Sequence, residues 1–364
     1  MKKGKRLKQL FHKLNQNGNQ SNFHTSSITH TKINAFTVDG QGQSAPSTRA
    51  EEADDFRSVF APVAMNFSDA TDTVIDFVNI IIFHLERRKQ IHVQLDYVRS
   101  FDHESLILLL CVMIEFKTQG IGFKASMPLN EQANEFVRQS IFYNYLFKDA
   151  DVSHRYSFCT YLNSGYLSQY DTQGNKLVDP EASSLLIEKA SKSIWGTPRV
   201  CPGIQRSLIE MMQNTNNHAH HSYKGHHRFW ISVTHFEKEN VVKFVFLDFG
   251  IGIFGSLNNI PAGKRLSRWK EKIENRHSYD NNAQLLKLIM DGDIHKTVTG
   301  KPNRGKGLPG IKEAFDRQQI QKLKIVTNNV KASIYRDSYT ALQNNLHGTI
   351  ISWQIDSNTL TKVQ

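Results

Sequence analysis

An almost unbroken apolar run, Val241 to Leu247, stops at Asp248-Phe-Gly250-Ile-Gly252. The run reads as a strand, paired as a hairpin with the preceding strand Arg228 to Phe236 about the polar Glu237-Lys-Glu-Asn240. A strand that ends on an acid and two glycines delivers a carboxylate where a ligand can approach the backbone closely, because glycine has no side chain to block it. Alone, Asp-x-Gly-x-Gly is also a common turn.

Two further strings flank it. Upstream, Glu210-Met-Met-Gln-Asn214-Thr-Asn-Asn-His218-Ala219 sets a carboxylate, an amide and an imidazole at four-residue spacing, so a helix over Ile204 to His220 carries them on one face, within an arc of roughly 80°. Leu208, Met212 and Ala219 supply the opposite, apolar face. Downstream, Gly305-Lys-Gly307-Leu308-Pro-Gly310 reads as a glycine-rich turn opening a helix, where unpaired backbone N–H groups receive phosphate. Each string is weak alone, and their order is what gives them weight.

In that order they resemble the N, G1 and G2 boxes of the GHKL superfamily, which includes histidine kinases, gyrase, anti-sigma-factor kinases and chaperone ATPases. His347-Gly348-Thr349, before an apolar strand Ile350 to Ile355, resembles the family's closing Gly-Thr strand. The resemblance covers about 195–356 and implies a Bergerat-type two-layer α/β sandwich, a mixed sheet with helices on one face. It also implies ATP and Mg²⁺ as ligands. Asn214 would ligate the metal beside the phosphates, with His218 in the same box, and Glu210 would orient or deprotonate an attacking water. Asp248 would accept from the adenine amino group, with Thr349 holding a neighbouring water and Gly250 and Gly252 passing against the base. Gly305, Gly307 and Leu308 would form the phosphate loop, with Lys306 or Arg304 placed to neutralise charge and Pro309 in the first helical turn, where its missing N–H costs nothing. Phe249 stands where several relatives carry Asn.

The chain of 364 residues is long enough for two domains of ordinary size. Its 45 Lys and Arg against 34 Asp and Glu give +11, a balance compatible with a polyanion such as ATP. Three widely spaced cysteines, Cys111, Cys159 and Cys201, indicate neither a disulfide framework nor a paired-cysteine zinc site. The longest apolar stretches, such as Leu106 to Ile114, are too short to span a bilayer, so the expectation is a cytoplasmic protein without a transmembrane segment.

Residues 1–53 are polar and poor in large apolar groups, and read as a flexible basic tail. Within it Leu7, Leu10, Phe11 and Leu14 have the spacing of an amphipathic helix among lysines. Residues 54–150 alternate strands (Ser58 to Met65, Ile91 to Leu95, Gly122 to Met127) and helices (Asp69 to Arg88, His103 to Gln119, Asn130 to Tyr145), a small α/β domain. There Val93-Gln-Leu-Asp96-Tyr-Val-Arg-Ser-Phe101-Asp102, followed by an apolar helix and Gly120-Ile-Gly122, resembles the STAS domain of anti-sigma-factor antagonists. That family carries a phosphorylatable Ser after the second Asp. Here the residue is His103, with Ser105 two places later, which argues against a serine switch. Residues 151–194 read as a connecting region with turns at Asn163-Ser-Gly-Tyr and Asp171-Thr-Gln-Gly-Asn, and 195–364 as the ATP module with a lid at about 253–304 and a helix Asn282 to Asp291 within it.

Two patterns invite other readings. His218, His220, His221, His226 and His227 crowd together, but no nearby Cys or carboxylate completes a zinc set. Lys264 to Lys272, with Trp269, combines charge and an aromatic ring as nucleic-acid sites do, though a solvated basic helix face reads more simply. The expected function is a Mg-dependent ATPase or ATP-driven switch acting on the STAS-like domain, a protein partner or a second copy. A serine or histidine protein kinase and a DNA-associated clamp ATPase remain alternatives. For the kinase, Asp102-His103-Glu104-Ser105-Leu106 lacks the residues and the two-helix setting of a phosphoacceptor box.

Overall fold

The computed structural model describes residues 56–140, 142–143, 146, 158–166, 180–218, 228–258, 282–292 and 307–359. The expected tail, the turn at 171–175, the histidines 220–227, the patch 264–272 and the loop residues 304–306 lie outside these. The described residues belong to one compact unit within Asp54–Gln364.

The first layer is built from β1 (Arg57–Phe60), β2 (Ala64–Met65), α1 (Thr71–Glu86), β3 (Ile91–Gln94), β4 (Ser100–Phe101), α2 (His103–Thr118), β5 (Phe123–Ala125) and α3 (Glu131–Arg138). Strands β1, β3 and β5 form a parallel sheet in that order, with Arg57 opposite Ile91 and Ile91 opposite Phe123. The single strand expected over Ser58 to Met65 is two, β1 and β2, the latter paired with β4. The last helix of this layer ends at Arg138 rather than continuing to Tyr145. Helix α1 buries Val74, Ile75, Val78, Ile81, Ile82 and Leu85, the stripe expected of an amphipathic helix.

Helix α2 is different. Asp102 caps it, its carboxylate accepting from the Ser105 N–H at 2.9 Å. From Leu106 to Met113 every residue is buried, so the helix has no solvent face. A helix apolar all round must be covered all round. On one side lies the parallel sheet; on the other lies a second, larger sheet.

That sheet draws on β6 (Phe158–Tyr166), β7 (Arg228–Phe236), β8 (Val241–Asp248), β9 (Gln321–Ser333) and β10 (Ser338–Asp356), in the order β6-β7-β8-β10-β9. Every pairing in it is antiparallel, where a mixed sheet is expected from the sequence. Its helices are α4 (Pro180–Trp195), α5 (Pro202–His218), α6 (Gly252–Asn258), α7 (Asn282–Met290) and α8 (Gly307–Asp316). Alternation along the strands divides their side chains between two cores. Phe244, Phe246, Ile325, Ile351 and Trp353 pack with the helices, whereas Trp230, Val245, Leu247, Val326 and Ile350 pack with α1 and α2. The protein is thus a mixed α/β structure with both parallel and antiparallel sheets.

The connecting region of the sequence reading is largely part of this layer. Asn163 to Tyr166 is not a turn but the end of edge strand β6, paired with β7 from Phe158 opposite Phe236 to Tyr166 opposite Arg228. Helix α4 places Leu186, Ile187 and Ala190 in the helix-side core.

A polar cluster sits between the two layers. Glu104, on the first turn of α2, accepts from Lys324 Nζ at 3.2 Å and from Ser352 Oγ at 2.9 Å. Burial opposes ionisation of Glu104, but the ammonium and hydroxyl more than offset it and hold the carboxyl well below its usual range. Burial, together with the charge of Glu104, pushes the neighbouring Asp102 upward instead. His103 is buried with its Nε2 3.5 Å from Ser232 Oγ, and burial lowers its pKa to about 4. Ser105 is fully buried and donates to the Met65 carbonyl. Neither side chain is accessible for phosphorylation.

Candidate functional site

Opposed residues of an antiparallel ladder point their side chains to the same face. Phe229, Asp248, Thr349 and Thr327 are successive partners across β7, β8, β10 and β9, so they form one row on the helix side at the end of the sheet. Asp248 and Thr349, which are far apart in sequence, are therefore adjacent.

The Asp248 carboxylate accepts from the Gly250 N–H at 2.9 Å, closing the turn that ends β8. Asp248 as a whole is half-buried. Desolvation raises its pKa to about 7, and the single hydrogen bond from Gly250 offsets only part of that rise. Among the described residues no side chain donates to it. Such a carboxylate has lone pairs left to accept further hydrogen bonds.

Two glycines make the row possible. Gly348 has φ 142°, and a Cβ there would lie 2.0 Å from the Asp248 carbonyl oxygen, so β10 comes this close to β8 only because the side chain is missing. Gly252 has φ 71°, and its Cβ would lie 2.2 Å from Asn328 Oδ1. The neighbour that requires Gly252 to be glycine is a protein amide. Phe249 turns away from the row and packs with the α1–α2 core.

Helices α5 and α8 lie on the same face as Asp248 and pack against each other. A Cβ on Gly203 would meet Ala314 at 3.2 Å, and one on Gly310 would lie 3.8 Å from Arg206 Nε. Position 203 thus faces 314 and 206 faces 310, an antiparallel register that carries Glu210 alongside the Gly307 end of α8. Glu210 is half-buried; Gly307 and Leu308 are buried, with Leu308 in the helix-side core. Pro309 falls in the first turn of α8, as expected. Asn214 and His218 lie on α5 one and two turns beyond Glu210, but the placement of their side chains is outside the description, as are Arg304, Gly305 and Lys306. Among the described residues no group of three or more His, Cys, Asp or Glu is placed to hold a metal ion. Among them, too, no helix is long and apolar enough to cross a membrane.

Two residues of this site escape a reading of the sequence. Thr327 and Asn328 belong to β9, a strand that the sequence analysis does not assign. The alternation Leu323, Ile325, Thr327 marks the strand, but Thr327-Asn-Asn interrupts it with residues that favour turns.

No protein-family model matches the chain, and no curated protein shows a significant sequence match to it.

Proposed function

We propose that the layer formed by β6–β10 and α4–α8 binds ATP with Mg²⁺ and works as an ATPase or ATP-driven switch, in a Bergerat-type arrangement. The observation that carries this reading is Asp248: desolvated, bonded only by the Gly250 N–H among the described residues, and paired across the ladder with Thr349. An adenine amino group supplies the missing donor, and the adjacent ring nitrogen is reached from Thr349 directly or through a water. Guanine presents an oxygen to the same carboxylate and is disfavoured.

The antiparallel fit of α5 against α8 supports a phosphate site at Gly307, where the free N–H groups of a helix start favour negative charge. Glu210 on the adjacent helix is the candidate for activating water. Asn214, one turn on, is the residue that would hold Mg²⁺, and the metal when bound would neutralise phosphate charge. The switching role rests on β10. One face of this strand carries Thr349, Ile351 and Trp353 toward the site, and the other carries Ile350 and Ser352 against the first layer. The STAS-like reading of that layer makes it the element that responds.

Incubation of the full chain with γ-labelled ATP and Mg²⁺, alone and with cell lysate, tests the proposal. Release of inorganic phosphate is expected. Label retained on a protein points to the kinase alternative, and absence of ATP binding by calorimetry overturns the reading.

A further inference from the structure

Helix α6 begins directly after the Asp248 turn, and its first backbone N–H groups have no partners within the helix. They are satisfied from β9. The Ile253 N–H donates to Thr327 Oγ1 at 3.1 Å, and the Phe254 N–H donates to Asn328 Oδ1 at 3.1 Å. Asn328 Nδ2 in turn donates to the Ile251 carbonyl at 3.0 Å. A strand distant in sequence therefore caps this helix and grips both sides of Gly252.

The backbone of β9 is bent to do this. Adjacent strand residues point to opposite faces, so Thr327 and Asn328 would ordinarily diverge. Asn328 instead has φ 47°, a left-handed conformation that Asn tolerates better than most residues. Opposite it, β10 bulges: Leu346 pairs with Asn328 and Thr349 with Thr327, which leaves His347 and Gly348 unpaired. Both side chains thereby reach the same turn.

Thr327 also faces the ligand side. It is fully buried, and its hydroxyl lies 3.1 Å from Thr349 Oγ1 and 3.2 Å from the Gly348 carbonyl. Each hydroxyl owns one proton. The Thr327 hydroxyl also lies 3.4 Å from Asn328 Oδ1, so its proton has three acceptors within reach. Its oxygen is the protein group against which the Thr349 hydroxyl is oriented beside Asp248.

We propose that Thr327 and Asn328 are positioning residues that set the purine selectivity of this site, Asn328 by fixing the Asp248–Gly252 turn and Thr327 by holding the Thr349 hydroxyl in place beside it. The inference rests on the ATP reading above. Adenine demands an acceptor at Asp248 and a donor at Thr349, and the pair positions both.

The test is calorimetric titration of the full chain and its variants with MgATP and with MgGTP, alongside thermal unfolding. Thr327→Val keeps the shape and removes the hydroxyl. With it go the group that orients the Thr349 hydroxyl and the cap on the Ile253 N–H, so ATP should weaken about tenfold, the scale of one misplaced hydrogen bond, with a much smaller change for GTP, and the ratio of the two affinities should fall. Thr327→Ser should restore the ratio. Asn328→Gly retains the left-handed backbone without the amide, should lower the same ratio, and carries the test if Thr327→Val does not fold. An unchanged ATP-to-GTP ratio in the variants, whatever their melting temperatures, overturns this inference alone. Failure of the parent chain to bind ATP overturns it together with the ATP reading.

Discussion

Lys324 on β9 and Glu104 on α2 form an ion pair at 3.2 Å across the two layers, the lysine side chain 22 % and the acid 10 % exposed. A buried pair of this kind is costly to break from one side, because the remaining charge loses its partner but not its burial. Lys324→Met should destabilise the protein by about 3–5 kcal/mol. The double change Lys324→Met with Glu104→Gln should recover most of that loss, since Gln still accepts from Ser352. Chemical denaturation of the parent, the single and the double variant measures this cycle; equal loss in the single and double variants would show that the pair itself does not carry the effect.

The pH dependence of this junction follows from the direction of the Glu104 shift. Its carboxyl is held below the unfolded value, so its contribution is complete above the ordinary carboxylate range and is lost as pH falls toward the folded value. Asp102, which is raised, has the opposite sign and loses stability as pH increases through its folded pKa of about 6. Denaturation midpoints from pH 7 downward should therefore depend on acid less steeply in Glu104→Gln than in the parent.

Burial of Asp248 costs stability at neutral and alkaline pH. Its folded pKa of about 7 exceeds the ordinary value of 3.8, so the stability associated with its protonated form is fully present below about pH 4 and is lost as pH rises through 7. Asp248→Asn should raise the stability of the ligand-free protein at pH 8, by at most about 4 kcal/mol and less because the residue as a whole is half-buried, and leave it nearly unchanged at pH 4. The same variant should lose most of its ATP affinity. In the parent, affinity should fall as pH drops below 7, because protonation replaces the charged acceptor with the weaker one of a neutral acid. A variant less stable than the parent at pH 8 would contradict this account.

Gly348→Ala and Gly252→Ala should both be severe, but by different routes. The first pushes β10 off the Asp248 backbone carbonyl and should lower the melting temperature of the free protein sharply. The second meets a side-chain amide, so combining it with Asn328→Gly should relieve the steric part of its cost. Thermal unfolding of the two single variants and the pair resolves the two routes; no relief in the double variant would remove Asn328 as the reason for this glycine.

Glu210→Ala should retain ATP binding and lose hydrolysis, because Glu210 borders the start of α8 without belonging to either hydrophobic core. Phosphate release measured at saturating ATP decides it, and parent-like turnover would exclude Glu210 as the base.

Elements with one clear period were legible from the sequence. Helix α1, the β7–β8 hairpin and the helix start at Gly307 follow from apolar spacing and glycine placement. Strand β6 was not legible, because Asn163-Ser-Gly carries turn chemistry that sheet pairing overrides. Glycine 252 was legible as a constraint but not its cause, since Asn328 lies on a strand whose alternation breaks at that residue. The unbroken apolar length of α2 was visible, yet only the second sheet explains why no polar face is needed.

That second covering has a consequence for synthesis. Helix α2 is complete long before β10 exists, yet Leu346 and Ile350 of β10 help to close the core in which it lies. Its outer side therefore stays wet on the ribosome, and the parallel sheet gains its final support only through contacts of very high contact order. A chain that ends before β10 should therefore leave apolar surface of the amino-terminal layer uncovered, as a light-scattering comparison with the full chain would register.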